Sequence, residues 1–85
     1  MAVAIAVRVR FFARLRELAG AETEGLSVAP GSTLSDVYDV LKRKHSALPE
    51  RATVRAAINQ EFAEWDAQVA DSDEVAFIPP VSGGL

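Results

Sequence analysis

Gly83 and Gly84 stand near the end of this 85-residue chain, behind an apolar run that finishes in the double proline Pro79-Pro80. Neither glycine offers a side chain. Chemistry at this place therefore falls to the backbone, as a carboxyl group that another molecule activates. Without a Cβ the chain is slim and mobile here. Pro79 and Pro80 lack an N–H, fix φ and bias the residue before each of them towards an extended shape, so the chain leaves a sheet stiffly. From residue 79 to residue 84 an extended chain reaches about 20 Å. Such a strip suits insertion into a narrow channel on another protein. Glycines also collect at ends that do nothing, so the functional reading of the tail rests on the rest of the chain.

No other constellation competes with it. There is no Cys, hence no disulfide, thiolate nucleophile or thiolate metal site, and any sulfur chemistry uses sulfur brought from outside. His45 is the one histidine. It follows Lys42, Arg43 and Lys44 at the end of a helical stretch and reads as a surface residue suited to the helix dipole. Asp71-Ser72-Asp73 reads as a turn between strands. One His and scattered carboxylates assemble no metal set. Gly83-Gly84 opens no helix, so it is not a phosphate loop.

The elements that must hold the tail fit one domain, residues 1–80, followed by a flexible diglycine tail at 81–85. The chain is 49% hydrophobic and 25% charged, which is ordinary for a globular protein. The net charge of −3 is unevenly spread. Arg8, Arg10, Arg14 and Arg16 lie early. After Arg55 there is no Lys or Arg, while Glu61, Glu64, Asp66, Asp71, Asp73 and Glu74 are acidic. An acidic face beside the tail would steer it towards a basic partner. The acidic balance and the lack of a basic, aromatic-laced stripe argue against nucleic acid. The apolar start is only seven residues long before Arg8 and has no basic leader. It reads as a buried strand rather than a membrane segment, and the protein as cytoplasmic.

Val3, Ile5, Val7, Val9 and Phe11 alternate with smaller or charged residues, the period of a strand. Residues 13–19 form a short helical turn closed by Gly20. Leu26 and Val28 mark a second strand, and Pro30-Gly31 a turn. Ser32 or Thr33 caps the main helix, with Asp36 in an imperfect capping box. Leu34, Val37, Val40 and Leu41 make its apolar stripe. Residues 54–58 form a third strand, Asn59-Gln60-Glu61 a turn, and Phe62 a short extended piece. Residues 65–69 are a candidate edge strand. Residues 74–78 are the last strand, apolar and hence central. The order predicts an α+β roll with one main helix across a mixed sheet, its first and last strands central and parallel. Phe11, Phe12, Phe62, Trp65 and Phe77 read as core aromatics. Alternation sets Phe11 and Phe12 on opposite faces, so one of that pair is free to anchor a partner.

Val9-Arg10-Phe11-Phe12-Ala13, Arg16-Glu17-Leu18-Ala19-Gly20, Ala57-Ile58-Asn59-Gln60-Glu61 and the closing run from Asp73 to Gly84 resemble the small subunits of molybdopterin synthase. The resemblance spans nearly the whole chain. It implies a β-grasp, ubiquitin-like fold and a non-catalytic sulfur carrier of molybdenum cofactor biosynthesis. In that family a separate ATP-dependent enzyme adenylates the terminal glycine, which is then converted to a thiocarboxylate. The tail enters the large synthase subunit and donates sulfur to a pterin precursor. Carried over here, Gly84 is the residue adenylated and thiolated, and Gly83 gives clearance. Phe77, Ile78, Pro79, Pro80 and Val81 would form the base of the tail and part of the interface, with Phe12, from the alternation above, as a further expected partner contact. No bound cofactor or metal is expected. ATP is used by the activating enzyme, and neither nucleic acid nor membrane is a partner.

Two departures stand out. Ile78 replaces a frequent aromatic. Leu85 follows the diglycine, so the Gly84 carboxyl sits in a peptide bond. A remnant of a tag junction is the favoured explanation, with peptidase removal or continuation into a further domain as alternatives. Rival functions are sulfur carriage for thiamine, cysteine or tRNA thiolation, and a ubiquitin-like interaction module without sulfur chemistry.

Overall fold

The computed structural model describes residues 3–79. Its elements are β1 (Ile5–Phe11), α1 (Arg14–Ala19), β2 (Thr23–Val28), α2 (Leu34–Lys44), a 3-10 turn (Arg51–Thr53), β3 (Arg55–Ile58), β4 (Glu61–Ala63) and β5 (Glu74–Ile78). The five strands form one sheet in the order β2-β1-β5-β3-β4. β1 and β5 pair in parallel, from Arg8 opposite Glu74 to Phe11 opposite Phe77. Every other pairing is antiparallel. This is the α+β roll expected, with α2 laid across the sheet. Among the described residues no helix is long and apolar enough to cross a membrane.

The core lies between the sheet and α2. From the sheet come Val7, Val9, Phe11, Val75 and Phe77; from the helix come Leu34, Val37, Tyr38 and Leu41. Tyr38, not Val40, completes the helical stripe. Its ring is fully buried because its hydroxyl donates to the Pro49 carbonyl at 2.7 Å. Burial, with the negative charge of Glu50 nearby, pushes this phenol up to about 12. At the other end of the chain, Val3 is 70% exposed and Ala4 and Ala6 are exposed, so the apolar start is less buried than its composition predicts.

The α2 cap forms in full. Asp36 N–H donates to Thr33 Oγ1 at 3.2 Å, and Thr33 N–H donates to Asp36 Oδ2 at 3.0 Å. Asp thus serves where Glu is commoner. Residues 65–69 make no named strand, only a bridge from Gln68 to Thr33. Their carbonyls do something else. Leu34 N–H donates to Ala67 O and Ser35 N–H to Trp65 O, both at 2.9 Å. The segment expected to be an edge strand satisfies the free donors of the first helical turn.

At the C-terminal end of α2, Glu24 reaches from β2 to pair with Lys44 and with His45 Nε2, the latter at 2.8 Å. His45 is therefore half-buried, and its ring meets Phe11 edge-on. Partial burial pushes the Glu24 carboxyl up, but the Lys44 and His45 hydrogen bonds outweigh it and hold the group below its ordinary value of 4.5. A carboxyl depressed in the folded state stabilises above its unfolded value and loses that contribution as pH falls through the folded value. Glu24→Gln is expected to cost about 1 kcal/mol at neutral pH. Urea unfolding across a pH series checks it: the gap from the parent closes in acid.

Candidate functional site

The site is the place where β5 hands the chain on to the diglycine. β5 is gripped on both sides. Along β3, Ile78 faces Arg55 and Phe77 faces Ala56. Along β1, Phe12 N–H donates to the Phe77 carbonyl at 3.2 Å, one residue beyond β1 itself. Ala13 then turns the chain away at φ 52, a region L-residues seldom adopt. The start of β5 is stapled as firmly. Asn59 Nδ2 donates to Asp73 Oδ1 and Glu74 N–H donates to Asn59 Oδ1, each at 2.9 Å. Ala6 N–H donates to Asp71 Oδ1 at 2.8 Å.

Strand alternation divides β5 between two faces. Val75 and Phe77 point to the core; Glu74, Ala76 and Ile78 point outward. Phe77 was expected to contact a partner, and that expectation is corrected here. It is 0% exposed, stacks on Trp65 with centroids 5.8 Å apart, and lies 5.0 Å from Tyr38. Phe62 is corrected in the opposite sense. It was expected in the core, yet it is 63% exposed. The two-residue turn Asn59-Gln60, with φ of 50 and 73, sets Phe62 opposite Ala57 on the outer face. Phe12 is 37% exposed, while Phe11 is buried.

The outer face thus carries a shallow depression of about 210 Å³ whose lining includes Phe12, Ala57, Phe62, Ala76 and Ile78. Small alanines form its floor and larger apolar groups its walls. The two partly exposed rings make this the apolar patch of the outer face beside the root of the tail. Ile78 and Pro79 are half-buried at the root of the tail. Pro80, Val81, Gly83 and Gly84 lie outside the described residues, as does Leu85.

The acidic residues expected beside the tail divide. Asp71 and Asp73 are occupied by hydrogen bonds at the far end of β5, while Glu74 lines the depression with Phe12, Phe62 and Ile78, and Glu64 lines another with Arg55 and Phe62. Arg55 stands beside the root as well. Its Cζ lies 4.4 Å from the Phe62 ring centroid, and Arg10 Cζ lies 4.9 Å from that of Phe12. Among the described residues no group of three or more His, Asp or Glu is placed to hold a metal.

Residues 9–84 match the ThiS family. The chain is 41% identical to a protein of Arabidopsis thaliana named molybdopterin synthase sulfur carrier subunit, across 94% of this chain and 84% of that one. It is 38% identical to the protein of the same name from Escherichia coli K12, across 92% and 99%. Among solved structures it is similar to the small archaeal modifier protein 1 of Haloferax volcanii, with a TM-score of 0.82 and 30% identity over 91% of this chain and 99% of that one. The fold is the β-grasp, ubiquitin-like one.

Proposed function

The chain belongs to the ThiS family, and from that premise we propose that it is the sulfur carrier subunit of a molybdopterin synthase, with Gly84 as the sulfur-bearing residue. One observation supports this best. The tail issues from a central strand held on both sides, directly beside an exposed aromatic face. A rigid root and a docking surface together fix where a slim tail goes, so its tip arrives at a partner's reacting centre without a search.

The reaction needs little from this chain beyond position. A free Gly84 carboxylate attacks the α-phosphorus of ATP on a separate activating enzyme, and pyrophosphate leaves. Hydrosulfide-level sulfur then attacks the acyl carbon, AMP leaves with the oxygen that joined them, and a thiocarboxylate remains. The large synthase subunit receives the tail and directs that sulfur to a pterin precursor. In this reading the carrier is not itself a catalyst, and it works in the cytoplasm, where the activating enzyme and ATP are found. The reaction requires a chain ending at Gly84, because an amide carbonyl cannot be adenylated.

The test is the intact mass of the protein purified untagged from its own cell. The reading requires chains ending at Gly84, a fraction of them heavier by one oxygen-to-sulfur exchange. A population that keeps Leu85 and carries no sulfur species rejects it.

A further inference from the structure

The two guanidinium groups on the outer face differ in what surrounds them. Arg10 is half-buried, with carboxylate oxygens of Glu22 and Glu74 each 4.0 Å away. Arg55 is exposed, and among the described residues no carboxylate lies within 4.0 Å of it. Its place is fixed by register, because its Cα partner is Ile78, the last residue of β5. It lines a pocket shared with Phe62, Ile78 and Pro79, at the root of the tail. A cation resting on a ring keeps its charge and its fork of N–H donors.

A partner that covers Phe62 must therefore also take Arg55 out of water. Burying a lone guanidinium is unfavourable unless the incoming surface brings an anion. Its donor fork matches a carboxylate in two parallel hydrogen bonds. We propose that Arg55 pairs with an Asp or Glu side chain of the synthase large subunit at the tail root. The inference rests on the sulfur-carrier reading and goes beyond it by naming the partner's chemistry. Arg55 thus adds a cation beside the aromatic anchor on a face that also carries Glu64 and Glu74.

The experiment is a titration of the full chain with the large subunit of the same organism, at low and at high salt, for the parent, Arg55→Gln, Arg55→Glu and Phe62→Ala. Arg55→Gln is expected to bind about tenfold more weakly at low salt and to lose much of the parent's salt sensitivity. Arg55→Glu should bind more weakly still, because like charges then face each other. Phe62→Ala should weaken binding similarly at both salts. Thermal unfolding of each variant, close to that of the parent, shows that the face alone has changed. If both Arg55 variants bind as the parent does at both salts, the inference is overturned. It is equally overturned if Arg55→Gln only makes the free chain self-associate in sedimentation, since Arg55 then merely keeps the face soluble. A parent that does not bind the large subunit at all overturns the sulfur-carrier reading itself, a different result from the other two.

Discussion

A chain cut after Ser82 should fold as well as the parent and transfer no sulfur. The core members among the described residues run from Val7 to Phe77, and the sheet pairing of β5 ends at Ile78. Removing residues 83–85 therefore deletes no described core contact and no ladder hydrogen bond. The chemistry, by contrast, loses the Gly84 carboxyl of a chain ending there, and the new carboxyl at Ser82 stands two residues, about 7 Å, short of it. Loss of activity should be complete rather than graded, and docking through the outer face should persist. Two measurements are needed together: thermal unfolding, expected to superimpose on that of the parent, and sulfur transfer in the presence of the large subunit and the activating enzyme. A truncated chain that still supports transfer would sink the proposal that Gly84 carries sulfur.

Phe77→Ala should do the reverse and destroy the fold. Phe77 is fully buried between Tyr38 and Trp65. Truncating a phenylalanine in such a place costs about 3–5 kcal/mol, the lost transfer energy plus an unfilled cavity. Small domains have about 5–15 kcal/mol of stability in all. The melting temperature should fall by at least about 12 °C, and much of the protein should be unfolded at physiological temperature. Ile78→Ala, one residue later on the outer face, should melt within a few degrees of the parent and instead weaken docking. If Phe77→Ala melts like the parent but fails to dock, the inward assignment of Phe77 is wrong.

These neighbours show what a reader of the sequence can and cannot extract. The strand at residues 74–78 is legible, and so is the central place of so apolar a strand. Which parity faces the helix is not legible, because Val75 and Phe77 are apolar and so are Ala76 and Ile78. Phe62 was within reach. Val54 and Ala56 point inward, and a two-residue turn after Ile58 fixes which residue of the next strand lies opposite Ala57. Reading Asn59-Gln60-Glu61 as a three-residue turn hid that register. Residues 65–69 have the composition of a strand, but their backbone groups are drawn off by the first turn of α2, a tertiary competition that local pattern does not carry. The α2 stripe was legible except for Tyr38, whose burial depends on a carbonyl eleven residues away. The outward-facing Phe12 was legible as one member of a pair. The role of Gly84 came from resemblance, because a diglycine looks the same in a working tail and in an idle one.

The strand at the middle of the sheet is also the one synthesised after the other four. β1, the first made, has only β2 on one side until Ile78 has left the ribosome, and β3 has only β4. The nascent chain therefore holds two separate hairpins with a gap between them, and closing that gap is a long-range step that local structure cannot anticipate. A chain that stalls before β5 presents unpaired strand edges and is exposed to aggregation and to proteolysis. A chain that has folded has, by that fact, been translated at least to the root of its tail. The topology thus ties folding to translation: the outer face is completed only on molecules whose synthesis has reached Ile78.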